Sequence, residues 1–195
     1  MFDRKKFITE SLKESSEIKL KVLDACYEKI ADASEMILEV IRSGNKLMLC
    51  GNGGSAADSQ HLATEFMIRL SHDIERKAIP AIALSTDSSN LTAGGNDIGF
   101  ENIFARNIEG IGKEGDVLIG ISTSGNSKNI IKAIQTAKAM GIKTICLLGS
   151  GGGKLKDECD LPIIVPSNNV QRIQESHITI GHILCEITER ELYGN

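Results

Sequence analysis

Four hydroxyl side chains crowd into the segment GISTSGNS, residues 120–127: Ser122, Thr123, Ser124 and Ser127. The segment follows the apolar run DVLI and precedes the helical pattern KNIIKAIQTAKAM. Hydroxyl donors, free backbone N–H groups and the positive end of a helix dipole together suit a phosphate monoester. The segment has no lysine or arginine, so neutral donors would hold the phosphate. The alternative is a helix-capping turn with additional serines.

A second turn, LCGNGGSAADS, also precedes a helical pattern. Gly51, Gly53 and Ala56 match the dinucleotide-binding spacing G-x-G-x-x-G/A. That pattern needs an acidic residue at the end of the next strand, whereas Asp73 and Glu75 fall in an apparent loop. The simpler interpretation is a ligand-binding helix N-terminus with exposed N–H groups and a serine cap. Its residues are Asn52, Gly53, Gly54 and Ser55.

Two histidine clusters complete the candidate chemistry. His61 and Glu65 are four residues apart, so on a helix they lie on one face. Such a pair can bind zinc or place a carboxylate base beside an imidazole, and it can equally be a solvated surface pair. The segment QRIQESHITIGH contains His177 and His182, which are five apart and face different directions, so we expect one of them to be structural. It also contains Gln171, Gln174 and Glu175.

The elements that must position these residues alternate between short apolar runs and helical patterns. The runs predict parallel strands at 46–50, 81–84, 116–121, 144–148 and 162–165. Crossover helices are predicted at 55–70, 88–94 with 102–109, and 126–140, with a short turn near Lys154. The fold class is therefore doubly wound α/β, a sheet that binds ligands beyond the carboxyl ends of its strands.

Two long helical patterns flank the predicted sheet. Apolar residues at 18, 22, 26, 30, 33, 37, 40 and 41 trace a helical stripe of about 24 residues, and 170–192 is a second helix. Both exceed the typical helix of about 12 residues, which favours subunit packing over a role in covering the sheet alone.

Composition narrows the possible functions. The chain has 195 residues, 41% hydrophobic and 25% charged, which is typical of one globular domain. A net charge of −4, few aromatic residues and no tryptophan argue against a nucleic-acid partner. Five cysteines without a CxxC pair, and an N-terminus without an apolar core, predict a reduced, cytoplasmic protein. No apolar run approaches the ~18 residues of a membrane span.

Four segments together closely resemble the phosphoheptose isomerases of the sugar isomerase (SIS) family: CGNGGSAADSQHLATEF, GGNDIGFENIFARNI, GISTSGNSKNI and VQRIQESHITIGHIL. The resemblance implies a five-stranded, flavodoxin-like SIS domain over residues 1–195, with 1–43 as a helical extension that packs subunits together. It also implies conversion of sedoheptulose 7-phosphate to D-glycero-D-manno-heptose 7-phosphate for bacterial lipopolysaccharide or capsule. The enzyme would be a cytoplasmic homotetramer with sites between subunits. One departure is the loop at 150–153, which reads SGGG where the family often has an acidic residue.

The resemblance also assigns roles by position. Glu65 would be the base and His182 its partner. The phosphate would be held by Ser55, Ser122, Thr123, Ser124 and Ser127. The sugar would be lined by Asn52, Gly53, Gly54, Asn96 and Asp97, with further contacts from His61, Glu65 and Gln174. Zinc, in members that carry it, would be bound by His61, Glu65, Gln174 and His182, and no nucleotide cofactor is implied.

Helix geometry restricts that zinc site. Gln174 and His182 are eight residues apart, about 12 Å along an ideal helix. Two residues that far apart on one regular helix cannot both bind one ion at ~2 Å. Either Gln174 precedes the helix or the two residues serve one site from different subunits, and an interface site is favoured.

The main alternative function is a non-catalytic, phosphosugar-binding SIS protein of the replication-initiator-associating type. Such a protein needs the hydroxyl-rich turn but no proton-transfer residues. The presence of Glu65 together with His182 favours the enzyme.

Overall fold

The computed structural model describes residues 2–194 and has an α/β architecture around one parallel sheet. The five strands are β1 (Leu47–Gly51), β2 (Ala81–Ala83), β3 (Val117–Ser122), β4 (Lys143–Leu148) and β5 (Leu161–Ile164). All of the strand pairs are parallel. Each strand lies within one residue of its predicted bounds, because short apolar runs between polar turns are what a strand buried on both faces requires.

Seven α-helices surround the sheet. They are α1 (Arg4–Arg42), α2 (Gly54–Met67), α3 (Ser88–Asp97), α4 (Ile103–Ile111), α5 (Lys128–Ala139), α6 (Leu155–Glu158) and α7 (Val170–Tyr193). Short 3₁₀ turns at Phe100–Asn102 and Ser150–Gly152 complete the order. Among these described residues no helix is both long and apolar enough to cross a bilayer.

The strand order β2-β1-β3-β4-β5 determines where a ligand can bind. The chain winds from β1 outward to β2 on one side and then returns through β3 to the other side. A crevice opens at the carboxyl ends of the strands where the winding reverses, between β1 and β3. The two turns singled out in the sequence, 51–55 and 122–127, directly follow these two strands.

Each face of the sheet carries its own apolar core. On one face α1, α2 and α7 pack on alternate strand residues such as Leu49, Ile119 and Leu147. On the other face α4 and α5 pack on the intervening residues, including Met48 and Leu118. The strands are thus sandwiched between helix layers, which explains their continuous apolar sequences.

Helix α1 is much longer than the predicted stripe, with 39 residues and a length of about 58 Å. It begins at Arg4, where the Asp3 side chain accepts a hydrogen bond from the Lys6 N–H. Its first turns are almost entirely exposed, so they lack the one-sided burial that a periodicity argument detects. The apolar pattern therefore located the part of the helix that packs on the sheet and not its start.

Helices α2 and α7 lie side by side in the layer that covers one face of the sheet. A Cβ on Gly181 of α7 would come within 2.5 Å of Leu62 Cδ1 on α2, and Leu62 is 2% exposed. Gly181 therefore allows the two helix backbones to approach closely. The neighbours in sequence of these residues are His61 and His182, so this contact places the two histidines opposite each other.

His177 ties the end of β4 to α7. Its Nε2 lies 3.0 Å from the Leu148 carbonyl oxygen, and because a carbonyl can only accept, Nε2 carries the hydrogen. Its Nδ1 is buried and has no hydrogen-bond partner within residues 2–194. Burial lowers the pKa of His177 to about 4, although the bond to Leu148 opposes the shift. His177 is thus the structural histidine of the pair His177 and His182.

We expect Gly181→Ala to destabilise the protein by about 1–3 kcal/mol, because the new methyl group must displace the packed Leu62. Gly110→Ala is the matched control: Gly110 also lies in a helix, and apart from its chain neighbours and its own helix backbone nothing lies within 4 Å of the place that its new methyl group would occupy. That control should keep or raise stability, since alanine is the better helix former. Thermal unfolding measures both. Equal melting temperatures for the two variants would contradict the close α2–α7 contact.

We expect the free energy of unfolding to fall as the pH is lowered, because His177 stays neutral in the folded protein and is protonated in the unfolded chain. The folded pKa of His177 is about 4 and the unfolded value is about 6.5. The unfolded state therefore binds the extra proton, and the full stability present above pH 6.5 is lost as the pH falls towards 4. Between pH 7 and pH 5 this loss is about 2 kcal/mol. Urea unfolding of wild type and His177→Gln at both pH values isolates the contribution of His177. Equal losses of stability in the two proteins would refute that contribution.

Candidate active site

The turns after β1 and β3 are joined by a pair of asparagine side chains. Asn52 Nδ2 donates to Asn129 Oδ1 at 3.0 Å, and Asn129 Nδ2 donates to Asn52 Oδ1 at 2.8 Å. Asn129 Oδ1 also accepts from the Ile130 N–H. Asn129 is 3% exposed, so the pair links both turns across the crevice. Asn129 was not among the residues predicted from the sequence, although a polar residue two positions after the hydroxyl-rich turn was a usable signal.

The hydroxyl-rich turn is held open by bonds among its own residues. The hydroxyls of Ser122 and Ser127 are 3.1 Å apart, and the Gly125 N–H donates to the Ser122 carbonyl. Ser127 is the residue before α5, yet within the described chain its side chain makes no cap hydrogen bond to that helix. The simple capping interpretation therefore does not account for this serine. The N-terminus of α5 points at the turn and supplies the positive end of its dipole.

The loop at 150–153 packs against the hydroxyl-rich turn. A Cβ on Gly125 would collide with the Gly152 carbonyl oxygen, and the Leu155 N–H donates to the Gly125 carbonyl at 3.0 Å. Gly151, Gly152 and Gly153 all have positive φ angles, which glycine adopts without strain. The loop thus supports the candidate phosphate site.

The first turn departs from the predicted cap. Helix α2 begins at Gly54, with Gly53 before it at a φ of 55°. Ser55 therefore lies inside the first helical turn, buried, and does not cap the helix. Gln174 lies within α7 and its Nε2 would be 2.7 Å from a Cβ on Gly54. The alternative that Gln174 precedes the helix is wrong.

His61, Glu65 and His182 come together within one chain. The Nε2 atoms of His61 and His182 are 2.8 Å apart, and Glu65 Oε1 lies 3.4 Å from His61 Nε2. The Glu65 side chain is 17% exposed and that of His61 is 47% exposed. The structure thus adds His182, from α7, to the pair of His61 and Glu65. A carboxylate beside two imidazoles that share a proton can take up and release hydrogen.

Asp58 adds a fourth titratable group near this cluster. It lies one turn before His61 on α2, and burial raises its pKa while His61 and His182 oppose the shift. Asp58 was not among the residues predicted from the sequence, although its spacing of three residues from His61 places both on one face of the helix.

The donors of the cluster fit zinc in their chemistry, since two imidazole nitrogens and a carboxylate are common zinc ligands. Two nitrogens on one tetrahedral zinc are about 3.3 Å apart, whereas those of His61 and His182 are 2.8 Å apart. Between residues 2 and 194 no three His, Cys, Asp or Glu side chains are arranged as a metal site. The observed spacing is that of a hydrogen-bonded pair.

The two predicted sugar contacts on α3 lie at its last residues. Asn96 Nδ2 donates to Asp97 Oδ1 at 2.7 Å, and both side chains are exposed. The cleft that contains Asn52 is lined instead by Phe100 and Glu101 of the following 3₁₀ turn. These two residues carried no sequence signal, because their approach to Asn52 depends on how the chain turns after α3.

The candidate site is spread along α2. The helix begins at Gly54 beside the hydroxyl-rich turn, and Glu65 is eleven residues further on, about 16 Å along the axis. Because a crossover helix returns to the opposite edge of the sheet, the hydroxyl-rich turn and Glu65 of one chain lie near opposite ends of α2. This separation decides how a substrate could use both.

A family model described as SIS domain matches residues 12–149. The phosphoheptose isomerase of Clostridium acetobutylicum is 54% identical over 192 residues, which is 97% of each chain. That of Sulfurimonas denitrificans is 49% identical over 193 residues, 98% of each chain.

Solved structures agree with these relatives. The phosphoheptose isomerase of Neisseria gonorrhoeae superposes with a TM-score of 0.89 at 37% identity, over 95% of this chain and 98% of that one. That of Francisella tularensis gives a TM-score of 0.93 at 34% identity, over 97% and 100%. With its switch-point crevice and its histidine–glutamate cluster, the chain belongs to the SIS-domain family and, within it, to the phosphoheptose isomerases.

Proposed function

We propose that this protein is an aldose–ketose isomerase that converts D-sedoheptulose 7-phosphate to D-glycero-D-manno-heptose 7-phosphate. The observation that carries the proposal is the cluster of Glu65, His61 and His182, which a protein that only binds a phosphosugar would not need. The family membership supports the choice of substrate. The product would supply heptose for bacterial lipopolysaccharide or capsule.

The reaction moves a carbonyl group between C1 and C2 of the sugar. Glu65, as a carboxylate, takes a proton from one carbon and returns it to the neighbouring carbon through an enediolate. His182 moves the hydroxyl proton between the two oxygens, since an imidazole can give and accept a proton near neutral pH. The contact with His61 orients the His182 ring and provides a second proton carrier.

The phosphate end of the substrate is held by Ser122, Thr123, Ser124 and Ser127, with Ser55 close to the same crevice. Hydroxyl and N–H donors at the start of α5 satisfy the phosphate oxygens, and Lys128 lines the same cleft as Asn52 and Ser127. Asn52, Gly53 and Gly54 contact the sugar, as do Asn96 and Asp97 from the end of α3. This part of the proposal rests on the family resemblance and on the position of both turns at the switch point.

We further propose that each site is shared between subunits. An extended seven-carbon sugar phosphate measures about 10 Å from C1 to phosphorus at ordinary bond lengths. In one chain the start of α2 and Glu65 are separated by about 16 Å. A substrate held at the hydroxyl-rich turn of one subunit therefore reaches Glu65 and His182 of another more readily than its own. Gln174, which lies beside Gly54, belongs with the phosphate-side half.

The exposed apolar surface supports a homo-oligomer, which we propose to be a tetramer. Large apolar side chains are exposed along α1 and on α7: Phe7, Ile8, Leu12, Leu20, Leu23, Tyr27 and Ile183. A groove between these helices is lined mainly by apolar residues and reaches Ile183, the neighbour of His182. Contiguous apolar surface of this kind marks an interaction site. The five cysteines are free and buried, which supports a reducing, cytoplasmic location.

We propose that the site can also hold one zinc ion, through His61, Glu65 and His182, with Gln174 supplied across the subunit interface. When bound, zinc would polarise the sugar carbonyl. Metal analysis of protein purified without chelator should find about one zinc per chain, and Glu65→Gln should lower that content. Full activity and an unchanged melting temperature after chelation would argue against a bound metal.

Activity with sedoheptulose 7-phosphate is the direct test. We expect Glu65→Gln and His182→Gln each to lower kcat by about 10²–10⁴-fold, because each removes a proton-transfer group. His72→Gln is the control, since His72 is exposed in the connection after α2. Its kcat should stay at the wild-type value.

Saturable binding of the sugar phosphate by wild type without turnover would support the non-catalytic SIS protein instead. Unchanged kcat in both variants would remove Glu65 and His182 from the mechanism.

Mixed assemblies test whether the site is shared. Ser124→Ala combined with Ser122→Ala should inactivate one half of the site, and Glu65→Gln the other half. If each site takes its two halves from different chains, co-assembly of the two inactive proteins at equal amounts should restore about a quarter of wild-type activity, by random pairing. The control is a mixture of the two inactive proteins under conditions in which subunits do not exchange, and it should stay inactive. No recovery in verified hybrids would mean that both halves come from one chain.

A further inference from the structure

A buried ion pair lies behind the proposed catalytic glutamate. Arg76 Nε donates to Glu189 Oε1 at 2.7 Å, and both side chains are 1% exposed. The Glu189 carboxylate also accepts from the backbone N–H groups of Leu70 and Ser71 at 2.8 and 2.9 Å. Burial raises the pKa of Glu189, but the bonds from Leu70, Arg76 and Ser71 outweigh it and the pKa lies below its usual value.

Arg76 also contacts the last turn of α2. Its Nη2 donates to the backbone carbonyl oxygen of Glu65 at 2.7 Å, and its Nη1 donates to the Lys77 carbonyl at 2.9 Å. The carbonyls in the last turn of a helix have no partner within the helix. Arg76 satisfies one of them, and that one belongs to the residue whose side chain we propose as the base.

The pair therefore connects both helices that build the cluster. Glu189 lies on α7, seven residues after His182, about two helical turns. Arg76 binds Glu189 on one side and the end of α2 on the other. The separation of His61 from His182 depends on how α2 sits against α7, so this bridge helps to determine that separation.

Burying two charges is a poor way to gain stability. Their desolvation offsets most of their attraction, and apolar residues of similar volume often stabilise a protein equally well. A guanidinium offers several donors in a fixed plane, which allows it to hold a carboxylate and a carbonyl in one defined geometry. The arrangement is suited to fixing positions.

We propose that Arg76 is a positioning residue for the isomerase reaction: bridged to Glu189, it holds the Glu65 backbone and fixes α2 against α7. The inference rests on the proposed function and adds to it a residue that does not touch the substrate. A displacement of about 1 Å in a catalytic group can cost about 10²-fold in rate.

Arg76→Lys keeps a positive charge near Glu189 but cannot hold the carboxylate and the Glu65 carbonyl in the same plane. We expect kcat per folded molecule to fall by between about tenfold and a hundredfold, with KM changed by less than about twofold. The double variant Arg76→Met/Glu189→Leu removes both charges and leaves neither one buried alone. It should fold and show the same selective loss of kcat.

Asp116→Asn is the matched control. Asp116 is also 1% exposed and pairs with a lysine, Lys46. It accepts from the backbone N–H groups of Lys46 and Lys113, before β1 and after α4. Its replacement should lower the melting temperature and leave kcat per folded molecule at the wild-type value.

Imidazole NMR resonances give a readout that does not depend on turnover. In Arg76→Lys the signals of His61 and His182 should shift, while those of His72 stay in place and Asp116→Asn leaves all three unchanged. The proposal would be overturned if the histidine signals of Arg76→Lys did not shift and its kcat per folded molecule stayed at the wild-type value. In that case any loss of total activity would only follow the unfolded fraction. If wild type fails to turn over sedoheptulose 7-phosphate, the proposed function fails, and the histidine shifts alone decide whether Arg76 positions the cluster.

Discussion

The close packing of α2 against α7 is the constraint on which the rest of the candidate site depends. Gly181 has no side chain at the point where Leu62 crosses α7, so the two backbones approach far enough for His61 and His182 to meet. A larger residue at position 181 would have to displace Leu62 and so would change how α2 sits against α7. The contact that packs α2 on α7 is thus also the one that brings the two histidines together.

The other half of the site depends on a contact between loops. The hydroxyl-rich turn owes its shape to Gly125 and to the glycine loop that presses on it from the next strand. The asparagine pair fixes the same turn from the opposite side. Hydroxyl and N–H donors act only at short range, so a phosphate bound at this candidate site would need them placed in advance. The rigid support around the turn provides this placement.

The two halves of the candidate site are separated along α2. In one chain the hydroxyl-rich turn lies at one end of α2 and the Glu65 carboxylate lies near the other, so the two candidate half-sites are separate. Some of the apolar side chains left exposed on α1 and α7, namely Leu23, Tyr27 and Ile183, line a groove that reaches the neighbour of His182. In the proposed oligomer, subunit association would cover this groove.

The sequence by itself determined the fold class, the five strands to within a residue, and the residue types able to bind phosphate and move protons. This was possible because alternating apolar runs and helical patterns record burial directly, and because turns that end parallel strands share one edge. The spacing of His177 and His182 also showed that the two side chains face different directions, so that one of them was expected to be structural.

Tertiary structure decided which of those residues meet. Local spacing gave the pairing of His61 with Glu65, but the approach of His182 depends on a glycine in another helix. Asn129, the supporting glycine loop and the bridge from Arg76 to Glu189 all join segments distant in sequence. The start of α1 and the place of Ser55 within α2 were also beyond the sequence pattern. Periodicity reports which face of an element is buried, whereas contacts between elements depend on how whole elements pack.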